Sequence, residues 1–174
     1  MSIPQLIPPI MWHYTVGAAI QRILADGQLN LGLLSRRYPV LWFSANPIWE
    51  TSAGKRRPDK AETESYYGGL YRIGVSPSGL TPWNDWKRTL RPNPPQSLAE
   101  FERYGNPSEW WCSFDVVKRD RWKTVERLAD DNWQTLFQHD AIPLAVVKTP
   151  DITPPTTAEI AAFWNFWESR NNAN

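Results

Sequence analysis

The chain has 174 residues, enough for one domain with its own core, and 19 Lys+Arg against 18 Asp+Glu leave a formal charge of +1, which argues against a globally basic nucleic-acid surface. A single cysteine, Cys112, excludes an internal disulfide and cannot by itself build a cysteine-based zinc site. Eleven Trp and sixteen Pro are the unusual numbers, and they point to large rigid contact surfaces joined by much irregular chain.

Residues 2–10 carry three prolines and read as an extended lead-in. Met11 to Tyr14 is predicted as the first strand. Thr15 to Asp26 is predicted as a helix, because Val16, Ile20, Ile23 and Leu24 recur at helical spacing, with Thr15 as N-cap and Gly27 at the left-handed C′ position. A connector ending in Arg36-Arg37 leads to a second strand, Tyr38 to Ser44. Asn46 to Ser65 reads as a loop too long for an ordinary connection, so a functional or mobile segment is expected there. It carries Trp49, Lys55-Arg56-Arg57 and Glu64.

Gly68-Gly69 opens a third strand, Leu70 to Val75, and Ser76-Pro77-Ser78-Gly79 is a turn signal. Trp83 to Pro95 has no clear period. Ser97 to Glu100 matches a capping box for a short helix that Gly105 would close. Glu109 to Lys118 alternates and is predicted as a strand. Arg119 to Gln138 suits helical or turn structure packed on the sheet, and Ile142 to Val147 a closing strand. Thr156 to Glu159 is a second capping box, followed by an apolar helix face of Ile160, Phe163, Trp164 and Trp167.

This order predicts an α+β fold: a single domain with a split, mostly antiparallel β-sheet core and flanking helices over residues 1–150. Residues 151–174 would form an amphipathic helix packed on that domain or on a partner. The N-terminus lacks the basic and apolar regions of a signal peptide, and no apolar run approaches the roughly 18–20 residues needed to cross a bilayer. A cytoplasmic location without membrane association is therefore expected.

Three stretches carry a resemblance to a known family. They are Trp12-His13-Tyr14-Thr15 running into a helix that ends at Gly27, Leu41-Trp42-Phe43-Ser44-Ala45-Asn46-Pro47, and Asn106-Pro107-Ser108-Glu109-Trp110-Trp111. In this order they resemble the ADP-ribosyltransferase fold family, which includes the diphtheria-toxin-like and poly-ADP-ribose polymerase enzymes. The resemblance implies NAD as substrate, no metal, and cleavage at nicotinamide with transfer of ADP-ribose to a macromolecular or small-molecule acceptor. It implies that His13 hydrogen-bonds a ribose hydroxyl, with Tyr14 and Thr15 beside it, and that Trp42 or Phe43 walls the nicotinamide. Ser44 would support the acid, and Glu109 would bind the nicotinamide-ribose 2′-hydroxyl and stabilise developing positive charge. Arg36, Arg37 or Lys55-Arg56-Arg57 could meet the pyrophosphate. Members with a His-Tyr-Glu triad carry a second tyrosine past the aromatic strand. Here no Tyr follows before Tyr66, so either Trp49 takes the stacking role, or the triad is of another subtype, or the site is not catalytic.

Competing readings accompany each residue. Glu50, Glu62 and Glu64 are rivals for the acid, His139 sits in a polar turn, and Cys112 fits a packed strand position. Gly-x-Ser-x-Gly, Gly-x-Gly-x-x-Gly and phosphate-loop motifs are absent. Lys55-Arg56-Arg57 with Trp83, Trp86, Lys87, Arg88 and Arg91 could form a local basic, aromatic patch. The alternative function is therefore a non-catalytic, Trp-rich module that binds protein or nucleic acid.

Overall fold

The computed structural model describes residues 8–31, 40–50, 68–90, 102–103 and 105–138. All of these lie in the first of two compact units, Met1–Leu144; the second is Ala145–Asn174. Arg37, the Lys55-Arg56-Arg57 run, Glu62, Glu64, Arg91, the helix expected after Ser97, His139, the strand expected at Ile142 and the C-terminal helix fall outside the described residues.

Among the described residues the architecture is mixed α and β, dominated by a seven-stranded sheet in the order β5-β6-β3-β1-β4-β8-β9, with every pairing antiparallel. The strands are β1 (Met11–Val16), β3 (Leu41–Ser44), β4 (Leu70–Val75), β5 (Thr81–Pro82), β6 (Trp110–Ser113), β8 (Trp122–Ala129) and β9 (Asn132–Gln138). A small second sheet joins β2 (Gln28–Leu29) to β7 (Val117–Lys118). The helices are α1 (Gly17–Asp26) and α2 (Trp83–Thr89).

Pleating gives each face its own core. On one face Met11, Leu41, Phe43, Ile73, Val75, Trp111 and Val125 cluster with Ile20 of α1 and Leu29 of β2. On the other, Trp110 and Cys112 of β6 and Val40 pack with Trp83 and Trp86 of α2. The i, i+3 spacing of those two tryptophans sets the buried side of a short helix that no longer period announced.

Four expectations need correcting. Thr15 is not a helix cap: it is buried in β1, opposite Tyr71, and α1 begins only at Gly17, with Val16 at the cap position and no side-chain bond there. Six consecutive pairings with β4 satisfy the backbone through Val16, so the ladder wins over a hydroxyl cap. The second strand spans Leu41–Ser44 rather than starting at Tyr38; residues 32–39 are not described. The strand expected from Glu109 is divided. A 3-10 turn spans Pro107–Glu109, β6 ends at Ser113, and the chain then breaks before β7. There the Ser113 hydroxyl donates to the Asp115 carbonyl (2.8 Å) and accepts from its N–H (3.2 Å). Finally, Arg119 to Gln138 is a 3-10 turn, Arg119–Arg121, followed by the β8–β9 hairpin. Its turn uses Asp130 and Asp131, both at positive φ (50° and 61°).

Gly27 does end α1 in the left-handed conformation, with φ 64° and its N–H bonded to the Ile23 carbonyl. The turn after β4 closes through Leu80 N–H to the Pro77 carbonyl. No helix among the described residues is long and apolar enough to cross a membrane.

Cys112 is fully buried between β3 and α2, and burial pushes its thiol up to about 12. The thiolate is the nucleophile, so the native protein is expected to resist alkylation near neutral pH and to react fully once unfolded. Iodoacetamide labelling followed by intact-mass measurement, with and without denaturant, checks this.

Candidate functional site

β1, β3 and β6 lie side by side, and their antiparallel register collects three sequence-distant segments at one end of the sheet. Trp12 is opposite Ser44, and Ser44 is opposite Trp110. The register continues one step further, where the Ala45 N–H donates to the Glu109 carbonyl at 2.7 Å. Ser44 therefore lies between Trp12 and Trp110, while His13 falls in the row of Phe43 and Trp111, and Glu109 in the row of Ala45, two positions along.

Their side chains do not all share a face. The His13 ring meets the edge of Phe43, with centroids 5.9 Å apart, and its Nδ1 is 2.9 Å from the Trp42 carbonyl. A carbonyl can only accept, so Nδ1 carries the proton, which leaves Nε2 as the acceptor nitrogen whenever the ring is neutral. The Trp42 indole turns to the opposite face, against Trp83 and Trp86 (5.3 and 4.8 Å), and stays 38 % exposed. Of the two aromatic candidates, the one beside His13 is Phe43, and it is buried.

Ser44 is buried, and its hydroxyl donates to Glu50 Oε2 (2.8 Å) while accepting the Asn46 N–H (3.1 Å). Glu109, half-buried, accepts from Asn46 Nδ2 at 3.4 Å. The hydroxyl thus reaches the carboxylate through Asn46. Glu50, the rival acid, is buried and turned toward Ser44.

The segment from Ser44 to Glu50 is held down by three successive carbonyls. The Asn46 carbonyl accepts from the Tyr14 hydroxyl (2.6 Å), the Pro47 carbonyl from Arg72 Nη1, and the Ile48 carbonyl from Trp133 Nε1 (2.9 Å). Burial pushes the Tyr14 phenol up to about 12, against the lowering influence of Arg72, so it remains a donor across the physiological range. Trp49 packs edge-on against Tyr14, with centroids 5.3 Å apart. Arg72 itself is buried between the Trp12 and Trp133 rings, 3.8 and 4.3 Å from their centroids, and paired with Glu126 (Nε to Oε2 2.7 Å). Thr124 donates to the other Glu126 oxygen at 3.2 Å.

Asn46, Arg72, Glu126 and Trp133 were not among the residues expected from the sequence. A signal for two of them was present. A charged residue inside the apolar strand Leu70–Val75 has to find a buried partner, and Glu126 sits in register with it. Asn46-Pro47 is likewise a turn-initiating pair whose side chain tends to cap nearby backbone.

On the second face, Trp42, Trp83, Trp86 and Trp110 form a ring cluster, and Trp83 Nε1 donates to Glu102 (2.6 Å). Lys87 also binds Glu102 (2.7 Å), which holds that carboxyl below its ordinary range. No family model, no curated protein and no solved structure matches this chain.

Proposed function

We propose that this chain is an ADP-ribosyltransferase-like enzyme that cleaves NAD at the nicotinamide–ribose bond and passes ADP-ribose to an acceptor. The observation that supports it most is the register of β1, β3 and β6. It sets the strand that carries His13 and the strand that Glu109 leads into on either side of β3, and the described hydrogen bond to the Glu109 carboxylate comes from a neutral amide. Among the described residues no salt bridge cancels its charge, which suits stabilisation of a cation.

In this reading the His13 Nε2 lone pair accepts from a ribose hydroxyl, and the Trp42 carbonyl fixes the ring that does so. Glu109 accepts from the 2′-hydroxyl of the nicotinamide ribose. The electron pair of the C1′–N bond leaves with nicotinamide, which becomes neutral, and C1′ takes on oxocarbenium character that the Glu109 carboxylate stabilises. The acceptor's lone pair then bonds to C1′ and its proton is released; with water the product is ADP-ribose.

Nicotinamide release from NAD by the purified protein tests this directly. Glu109→Gln keeps the shape and removes the charge, and is expected to lower kcat by about 10²–10³-fold, the range for a single electrostatic stabiliser. His13→Ala is expected to raise KM for NAD. A folded wild-type protein that neither binds NAD nor releases nicotinamide ends the proposal.

The half-exposed Trp42 on its aromatic cluster favours a second reading, a non-catalytic interaction module. It requires no nicotinamide release, and a protein or nucleic-acid partner whose binding is lost in Trp42→Ala.

A further inference from the structure

Asn46 is joined to both the backbone of its own segment and the carboxylate at the mouth of β6. Its Oδ1 accepts from the Ile48 N–H (2.9 Å) and the Trp49 N–H (3.4 Å). Two donors on that oxygen settle which way the amide faces, because a flipped group would set N–H against N–H. Nδ2 is therefore the atom directed at Glu109. The backbone of Asn46 is fixed in turn: its N–H donates to Ser44 Oγ and its carbonyl accepts from the Tyr14 hydroxyl. Arg72 and Trp133 hold the next two carbonyls. Donors from β1, β4 and β9 thus anchor the segment whose single side-chain amide meets Glu109.

We infer that Asn46 is a positioning residue for Glu109: its amide orients the carboxylate, an inference that rests on the NAD-cleaving reading. A hydrogen bond donated to a carboxylate strengthens with the charge on it, so the contact is strongest in the form that would face the oxocarbenium ion. The other charged or titratable groups on the surrounding described elements are His13 and Tyr14 on β1, Glu50 on the same segment, Tyr71 and Arg72 on β4, Cys112 on β6, and Lys123, Glu126 and Arg127 on β8. Glu50 is turned to Ser44, and Arg72 is paired with Glu126. Among the described residues, Asn46 is the side chain that bonds the Glu109 carboxylate.

Asn46→Asp separates positioning from mere turn formation. The aspartate keeps oxygen acceptors for the Ile48 and Trp49 N–H groups and replaces the donor facing Glu109 with a second carboxylate. The expected result is a kcat profile whose acid limb moves to higher pH by about one pH unit or more, with KM for NAD little changed. A residue serving only the turn would leave that profile in place. An activity-free readout runs beside it, a thermal-unfolding cycle at neutral pH over wild type, N46D, E109Q and N46D/E109Q. N46D is expected to lower Tm, and E109Q to relieve most of that loss because Gln can donate to the new aspartate.

If the wild type releases no nicotinamide, the NAD reading fails and the cycle decides this inference by itself: coupling upholds it and additivity overturns it. If the wild type is active, an unmoved acid limb in N46D overturns it. Should N46D not fold, Asn46→Thr retains an oxygen acceptor and lacks the amide. A severalfold drop in kcat at constant KM then supports the inference, and an unchanged kcat overturns it.

Discussion

Replacing Arg72 with Met is expected to destabilise the protein by about 3–5 kcal/mol, the usual penalty for leaving one member of a buried ion pair alone. Both partners are buried, at 7 % and 8 % exposure, so little water can reach the abandoned Glu126 carboxylate. The loss extends beyond the pair, since the same guanidinium fills the space between Trp12 and Trp133 and donates to the Pro47 carbonyl. Urea unfolding followed by tryptophan fluorescence measures it. The double variant Arg72→Met with Glu126→Leu removes both charges, and paired apolar replacements are often neutral or stabilising. It is therefore expected to regain most of the global stability. It cannot restore the donor to Pro47, so hydrogen exchange at Ile48 and Trp49 should stay faster than in the wild type. A single variant as stable as the wild type would contradict the arrangement.

The second large effect concerns Gly17. Exchange of a helical glycine for alanine ordinarily stabilises by about 1 kcal/mol. Here a Cβ would stand 2.1 Å from the Gly68 carbonyl oxygen and 2.5 Å from its carbon, both backbone atoms that cannot swing aside. The same close approach lets the Gly17 N–H reach the Gly69 carbonyl at 3.0 Å. Steric cost outweighs propensity, and Gly17→Ala is expected to lose about 1–3 kcal/mol or more. Gly27 supplies the contrast: nothing lies within 4 Å of its added Cβ, so Gly27→Ala would report only the cost of its left-handed φ of 64°. Thermal unfolding of the two variants side by side distinguishes packing from backbone strain.

Some of this fold was legible because local pattern and tertiary demand agree. Leu70–Val75 is a strand at the predicted boundaries, since a short apolar run bounded by Gly68-Gly69 and a Pro-Gly turn has few other uses. The hairpin at Trp122–Gln138 was not legible. Its apolar residues Trp122, Val125 and Leu128 stand three apart, which imitates a helix. The register shift beside Gly74/Val75 leaves Lys123 of β8 without an opposite residue and resets the two-residue period, and this is why Trp122 and Val125 reach the same core.

The candidate site divides the same way. His13 could be chosen from its place on a strand that leads into a helix, and Glu109 from its place at the mouth of a later strand. Which of Trp42 and Phe43 shares a side with His13 depends on pleat phase relative to β1, and pairing decides that, not composition. Asn46 and the donors to its segment come from strands far apart in the chain, so no window of sequence contains them together.

The sheet order has a kinetic consequence. Of the described strands β1 precedes the others in the chain, yet it ends in the interior of the sheet, with β3 on one side and β4 on the other. As the chain leaves the ribosome, β1 stays incomplete until β4 has emerged, and β3 until β6 has followed. Among the pairings of the large sheet, only the β8–β9 hairpin is local in sequence. A topology so rich in distant partnerships folds slowly, and its nascent N-terminal half is the part most in need of chaperone shelter.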